Sequence, residues 1–172
     1  MKYLTKIRLY IGYLFFLFIL LLAKPIILSY GIGGVVVLLG EAIRTWAAGY
    51  IAKDEVLTKN GPYRLTRNPL YLGTFFIGLG VVIIGDSVWF LLAFTLIFLG
   101  VYIPTIFREE KFLAKKFPDD YLSYQKTVPC FFPKFQTLNV GGFSWLRVKK
   151  NKEFHTWITL FLILIILGLK LT

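Results

Sequence analysis

Between Gly61 and Gly73 the chain reads Gly61-Pro62-Tyr63-Arg64-Leu65-Thr66-Arg67-Asn68-Pro69-Leu70-Tyr71-Leu72-Gly73, a polar loop with two arginines that runs straight into an apolar stretch. Pro69 has no N–H to lose in the first turn of a helix, and the proline favours the extended backbone that lets Asn68 act as an N-cap. A helix is therefore expected to begin at Pro69. Its free N–H groups and positive dipole end, beside Arg64 and Arg67, suit a carboxylate or phosphate. The same arginines also fit the role of membrane-surface anchors. Gly73 lies one turn further on the same helical face and leaves room for a ligand or for a second backbone.

The other residues with chemical potential are the adjacent acids Glu109 and Glu110. Three and four positions from Glu109 stand Thr105, Ile106, Phe112 and Leu113; around Glu110 stand Ile106, Phe107, Leu113 and Ala114. Neither carboxylate has a cation within helical reach, so each must find charge on Arg64 or Arg67 of the facing loop, or on a cationic ligand. Residues 117–133 then alternate aromatic and turn residues, a composition suited to capping a pocket. Glu41 and Arg44, three apart, form a further pair that reads either as a satisfied link between helices or as a ligand contact.

These groups must be positioned by a largely apolar chain. Of its 172 residues 57% are hydrophobic and 18% aromatic, which calls for lipid around most of the molecule. The formal charge of +11 falls mainly between the apolar stretches, where it sets topology and attracts lipid headgroups, so no nucleic-acid partner is expected. Cys130 and His155 stand alone in their types, which excludes an internal disulfide and leaves no metal site to be expected. Apolar segments at 7–23, 26–51, 69–85, 88–107 and 154–171 predict an all-α, polytopic integral membrane protein with about five transmembrane helices. The first follows Lys2, Lys6 and Arg8 as a signal peptide would, but Ala23-Lys24-Pro25 is a poor cleavage site and the segment is expected to be retained. Pro104 is expected to kink the end of the fourth. Lys and Arg concentrate in the amino terminus, in 52–68 and in 108–153, which places all three on the cytoplasmic side.

Gly61-Pro62-Tyr63, Arg67-Asn68-Pro69-Leu70-Tyr71-Leu72-Gly73, the Glu109-Glu110 pair, Tyr121 with Tyr124, and Val128-Pro129 with Pro133 together resemble the isoprenylcysteine carboxyl methyltransferase and phospholipid methyltransferase family, over about residues 40–135. The resemblance implies a small polytopic enzyme that binds S-adenosyl-L-methionine at the cytosolic face and methylates lipid-like substrates drawn from the bilayer. Carried over by position, cofactor contacts fall on Glu55, Val56, Leu57 and Thr58, on Tyr63, on Asn68, Pro69, Leu70 and Tyr71, and on Glu109. Catalytic roles fall on Arg67 and Glu110, and substrate contacts on Thr105 and Arg108. The family usually has histidine where Asn68 stands, and asparagine hydrogen-bonds without holding a proton near neutral pH. Thr105 replaces an arginine of the eukaryotic carboxyl methyltransferases, which argues against a prenylcysteine carboxylate as substrate.

On this reading 1–51 is a first transmembrane hairpin, 52–135 the methyltransferase core, and 136–172 a basic linker with a final transmembrane helix. Transfer from a sulfonium needs little beyond alignment. A carboxylate acceptor needs no base, whereas a protonated amine does, and Glu110 is the nearest candidate. The expected acceptor is an isoprenoid carboxylate, a phospholipid or a lipid amine. Two alternatives stand beside it: an NADPH-dependent reductase of the membrane sterol and isoprenoid type, whose carboxyl-terminal half also resembles this pattern, and a non-enzymatic membrane scaffold.

Overall fold

A computed structural model describes residues 2–52, 56–134, 137 and 141–171, with the backbone alone for 2–9. Glu55 lies outside the described residues. Helices α1 (Lys2–Leu22), α2 (Ile27–Tyr50), α3 (Pro69–Gly85), α4 (Val88–Ile97), α5 (Ile103–Lys116), α6 (Pro118–Thr127), α7 (Trp145–Lys150) and α8 (Glu153–Gly168) follow one another, with a short 3-10 turn at Gly61–Arg64. The described residues contain no strand, and the protein is all-helical.

Helix limits follow local chemistry. α2 begins just past Pro25, where the Ser29 hydroxyl accepts from the Ile26 N–H and donates to the Ile26 carbonyl, both at 3.1 Å. α3 starts at Pro69 as expected and ends at Asp86, which takes the left-handed conformation with φ 52°. Pro104 is the residue at which the sequence leads one to expect a kink. It lacks the N–H that would bond four residues back, and its ring crowds that carbonyl. The chain answers with a π-helical stretch, Phe98–Tyr102, immediately before it, and the helix runs on through α5 to Lys116.

Two helices, Ile27–Tyr50 and Val88–Lys116, are long and apolar enough to cross a membrane, while Tyr10–Leu22, Pro69–Gly85 and Glu153–Gly168 are apolar but shorter. Their outward faces carry large apolar side chains, among them Leu14 and Leu21 of α1, Leu28 and Leu38 of α2, Leu96 of α4 and Phe161 of α8. Such surfaces suit lipid rather than water.

The tightest packing joins α2 to α3 through glycine. A methyl group on Gly40 would lie 2.7 Å from the Gly73 carbonyl oxygen, and one on Gly73 would lie 2.6 Å from the Gly40 carbonyl oxygen. Gly33 and Gly80 repeat the relation two turns away, at 2.5 and 2.6 Å. In lipid, helices gain little from burying apolar area against one another, so close backbone approach and its dispersion energy hold such a pair. The space at Gly73 is therefore filled by the backbone of α2 and by Arg44; it leaves no gap for a ligand.

At one end of the bundle Lys170 donates to the Leu20 and Leu21 carbonyls at the close of α1, at 2.9 and 3.0 Å. At the other end the polar segments converge, because α2 finishes there, α3 and α8 start there, and α5 arrives from the π-helical stretch. The glycine contact makes a sharp prediction. Gly40→Val should lower unfolding stability in detergent by about 1–3 kcal/mol through overpacking, whereas Gly31→Ala, where the added carbon meets nothing within 4 Å, should be neutral or stabilising. Thermal melts of the two variants check it.

Candidate functional site

Gly61 opens the loop before α3 with φ +58°, a conformation glycine adopts freely, and an added Cβ would strike the Tyr50 ring at 2.7 Å. The loop is then stitched to α6 and to the segment after it. The Tyr124 hydroxyl donates to the Tyr63 carbonyl at 2.5 Å, the Arg67 N–H to the Pro129 carbonyl at 2.9 Å, and the Lys134 N–H to the Leu65 carbonyl at 2.9 Å. Residues 117–133 thus do cover the loop.

Arg67 is the centre of this junction. Its Nε and Nη2 donate to the two oxygens of Glu110 at 2.8 and 2.9 Å, a fork-on-fork pair, and Nη1 donates to the Val128 and Gln125 carbonyls at 2.7 and 3.2 Å. The two side chains are only 8% and 9% exposed. Of the partners open to Glu110, the arginine of the facing loop is the one it takes. Burial works against the Arg67 charge, but the hydrogen bonds and charge of Glu110 outweigh it and raise its pKa above the ordinary guanidinium value.

Asn68 sits at the N-cap position without a side-chain cap. Its Nδ2 instead donates to Glu110 Oε1 at 2.8 Å and to the Cys130 carbonyl at 3.0 Å. The cap expected from its residue type is displaced by a stronger, charge-assisted bond to a distant carboxylate. Thr66 helps locally, its hydroxyl accepting from the Asn68 N–H at 3.4 Å and donating to the Cys130 carbonyl at 3.1 Å. Burial, then the Glu110 charge, pushes the Cys130 thiol upward. Burial likewise pushes up the phenols of Tyr121 and Tyr124.

A second group lies beside the first. Tyr71 donates to Glu109 Oε1 at 2.6 Å and meets the Tyr102 ring edge-on at 6.3 Å. The Tyr63 hydroxyl is buried and has no hydrogen-bond partner among the described residues. Burial holds its pKa well above the usual phenol value, and Arg44, Glu109 and Glu153 are near enough to act on it electrostatically.

Arg44 reaches across three helices. Its Nε donates to Glu153 Oε1 at the start of α8 and its Nη1 to Thr74 Oγ1 of α3, both at 2.6 Å, while Glu41 Oε2 stands 3.9 Å away. Pairing Arg44 with Glu41 alone missed Glu153. The available signal was a single acid placed at the end of a run of basic residues, just where an apolar helix begins. Beside Arg44 a cavity of about 210 Å³ is bounded by Thr74, Tyr102, His155, Thr159 and, from α1, Gly12 and Phe16.

The structure thus brings Arg67, Asn68 and Glu110 together, and Tyr71 with Glu109 next to them. Pro69 is buried at the helix start, and Leu70 packs beside Ala47, Tyr50 and Tyr63. Val56, Leu57 and Thr58 line a different cavity of about 210 Å³ together with Tyr50, Asn60 and Arg147. The Thr105 hydroxyl turns back to the Val101 carbonyl at 2.6 Å, and Arg108 is exposed. No group of three or more His, Cys, Asp or Glu suited to a metal occurs among the described residues.

Removing one partner of the buried pair should cost more than replacing both. Glu110→Gln is expected to lose about 2–4 kcal/mol of unfolding stability, because it leaves the Arg67 charge uncompensated. Arg67→Met combined with Glu110→Leu should recover much of that loss. A double-mutant comparison of denaturation midpoints in detergent tests this; strictly additive losses would refute it.

A family model described as phospholipid methyltransferase matches residues 7–120. The chain is 34% identical over 124 residues to the cobalt-zinc-cadmium resistance protein CzcN of Cupriavidus metallidurans, a match covering 71% of this chain and 56% of that protein. It is also 34% identical over 95 residues to the nickel-cobalt-cadmium resistance protein NccN of Alcaligenes xylosoxydans xylosoxydans, covering 53% of this chain and 43% of that one. The chain spans about half the length of these relatives. No solved structure matches it. The matched region takes in the glycine-packed helix pair, the Arg67 loop and both glutamates, and on that extent of agreement the chain belongs to the phospholipid methyltransferase family.

Proposed function

We propose that this protein is an S-adenosyl-L-methionine-dependent membrane methyltransferase whose acceptor is a lipid-like amphiphile: an isoprenoid carboxylate, a phospholipid or a lipid amine. The observation that carries the reading is the junction at the end of the bundle. A loop rich in hydrogen-bonding groups is clamped by Arg67 and Glu110 directly beside Tyr71 and Glu109, at the edge of an apolar helical core.

The residues present fit the cofactor. The buried Tyr63 hydroxyl lacks a hydrogen-bond partner among the described residues, and a buried polar group left so is costly unless something completes it. Glu109 offers a carboxylate to an ammonium or sulfonium, and Tyr63 and Tyr71 offer hydroxyls and aromatic faces. Asn68, Pro69 and Leu70 at the start of α3, and Glu55, Val56, Leu57 and Thr58 of the preceding segment, are proposed as the further cofactor contacts.

Bound there, the cofactor would supply a methyl group already activated on a sulfonium, with a neutral thioether as its leaving group. The protein's part is alignment and exclusion of water. Arg67 and Glu110 serve this by fixing the loop. For Glu110 to act as a base for an amine it would have to give up the bonds from Arg67 and Asn68, so its role is assigned to positioning. Thr105 and Arg108, on the same helix, are placed on the acceptor side. The membrane arrangement that suits this chemistry has five spans, with the amino terminus, both polar segments and the cofactor site cytoplasmic, so that the acceptor enters from lipid.

Two measurements test the proposal. Calorimetry of the purified protein should show binding of S-adenosylhomocysteine and none of NADPH, and Glu109→Gln should weaken that binding by about 1.5–3 kcal/mol, the worth of a hydrogen bond to a charged group. Binding of NADPH alone would turn the reading toward a reductase. For topology, single cysteines introduced at Lys59 and Lys150 in a Cys130→Ala background should resist an impermeant thiol reagent added outside intact cells. Labelling of either from outside would refute the arrangement.

A further inference from the structure

A wide groove lies away from the Arg67 junction, and Arg67, Asn68, Glu109 and Glu110 take no part in its lining. It measures about 780 Å³ and lies between α2 and α8. Val37, Leu38, Leu160, Phe161 and Leu164 line its length, a surface suited to a hydrocarbon chain. Its other end is chemically distinct. There Trp46, Trp157 and Phe143 meet Glu41 and Thr45.

The charges at that end do not balance. Arg44 is committed to Glu153 and Thr74, each at 2.6 Å, and stands 3.9 Å from Glu41. One guanidinium therefore faces two carboxylates. Glu41 Oε1 accepts from Thr45 at 3.1 Å, whereas Glu41 Oε2 is buried without a hydrogen-bond partner among the described residues. Trp157 is held in place by its indole N–H, which donates to Thr45 Oγ1 at 3.0 Å, and Trp145 packs edge-on against it at 6.5 Å. A carboxylate with a spare oxygen among aromatic faces is the environment that selects an ammonium head.

We propose that this groove binds a cationic amphiphile, its hydrocarbon chain lying between α2 and α8 and its ammonium head against Glu41, Trp46 and Trp157. A phosphate next to the ammonium would face the Glu41 carboxylate, with Arg44 already engaged by Glu153 and Thr74, so the occupant is an alkylammonium and not a phospholipid. The site stands apart from the methyl-transfer reading. Glu153 and Trp157 also lie beyond the region matched by the family model.

Tryptophan quenching tests it. Trp89→Phe and Trp145→Phe leave Trp46 and Trp157 as the emitters, both in the groove. The full chain carrying these changes, in non-ionic detergent, is titrated with brominated dodecyltrimethylammonium, brominated dodecylphosphocholine and brominated dodecyl sulfate. The cation should quench at a concentration at least about tenfold below the other two, and Glu41→Gln should erase the difference. Equal quenching by all three would reduce the tryptophans to interface anchors and overturn the proposal, as would a preference untouched by Glu41→Gln. Should that variant fail to fold by circular dichroism, Ala42→Phe, which fills the groove, must abolish the selective quenching; retention of selectivity there would also overturn it.

Discussion

A guanidinium and a carboxylate, both nearly sealed from solvent, fix the functional end of this molecule. Arg67 belongs to the loop before α3 and Glu110 to the far end of the long helix that follows it, and their paired bonds at 2.8 and 2.9 Å set the distance between those elements. The guanidinium also binds the Gln125 and Val128 carbonyls at the end of α6, so one side chain ties three parts of the chain. A buried ion pair is a poor source of net stability compared with apolar packing, but breaking it on one side is expensive. It therefore acts as a geometric constraint. Tyr71, four residues along α3, and Glu109, adjacent to Glu110, are brought together as a consequence.

Beneath this pair the helices are closely packed. Glycines on α2 and α3 allow backbone contact over more than two turns, and that contact puts Arg44 beside Thr74 and within reach of α8. The π-helical stretch before Pro104 keeps the long helix continuous, so the position of Glu109 and Glu110 is transmitted from the lipid-facing core rather than from a flexible corner. It also places Tyr102 between the Tyr71 pair and the cavity bounded by α1 and α8.

Much of this was legible in the sequence where the cause is local. Apolar runs marked the long helices, and Pro69 marked the start of α3. The absence of helical partners for the two glutamates correctly sent the search to distant residues. What could not be read were choices between local and remote partners. Asn68 has the chemistry of a cap, and only the arrival of Glu110 decides that its amide goes elsewhere. Arg44 has a nearby acid in Glu41, yet it takes Glu153 from a helix that begins more than a hundred residues later. Gly73 offered a space whose occupant, the α2 backbone, depends on the register of two helices. Each is a tertiary decision between options that the local pattern leaves equal.

The reaction proposed for this member of the phospholipid methyltransferase family is movement of a methyl group into a membrane-dissolved acceptor. Its most direct measurement is incubation of the purified, lipid-reconstituted protein with methyl-labelled S-adenosyl-L-methionine and host membrane extract, followed by partition between organic and aqueous phases. Label should accumulate in the organic phase, and only with folded protein. Label confined to water-soluble products, or no transfer by a protein that still binds S-adenosylhomocysteine, would contradict a lipid methyltransferase.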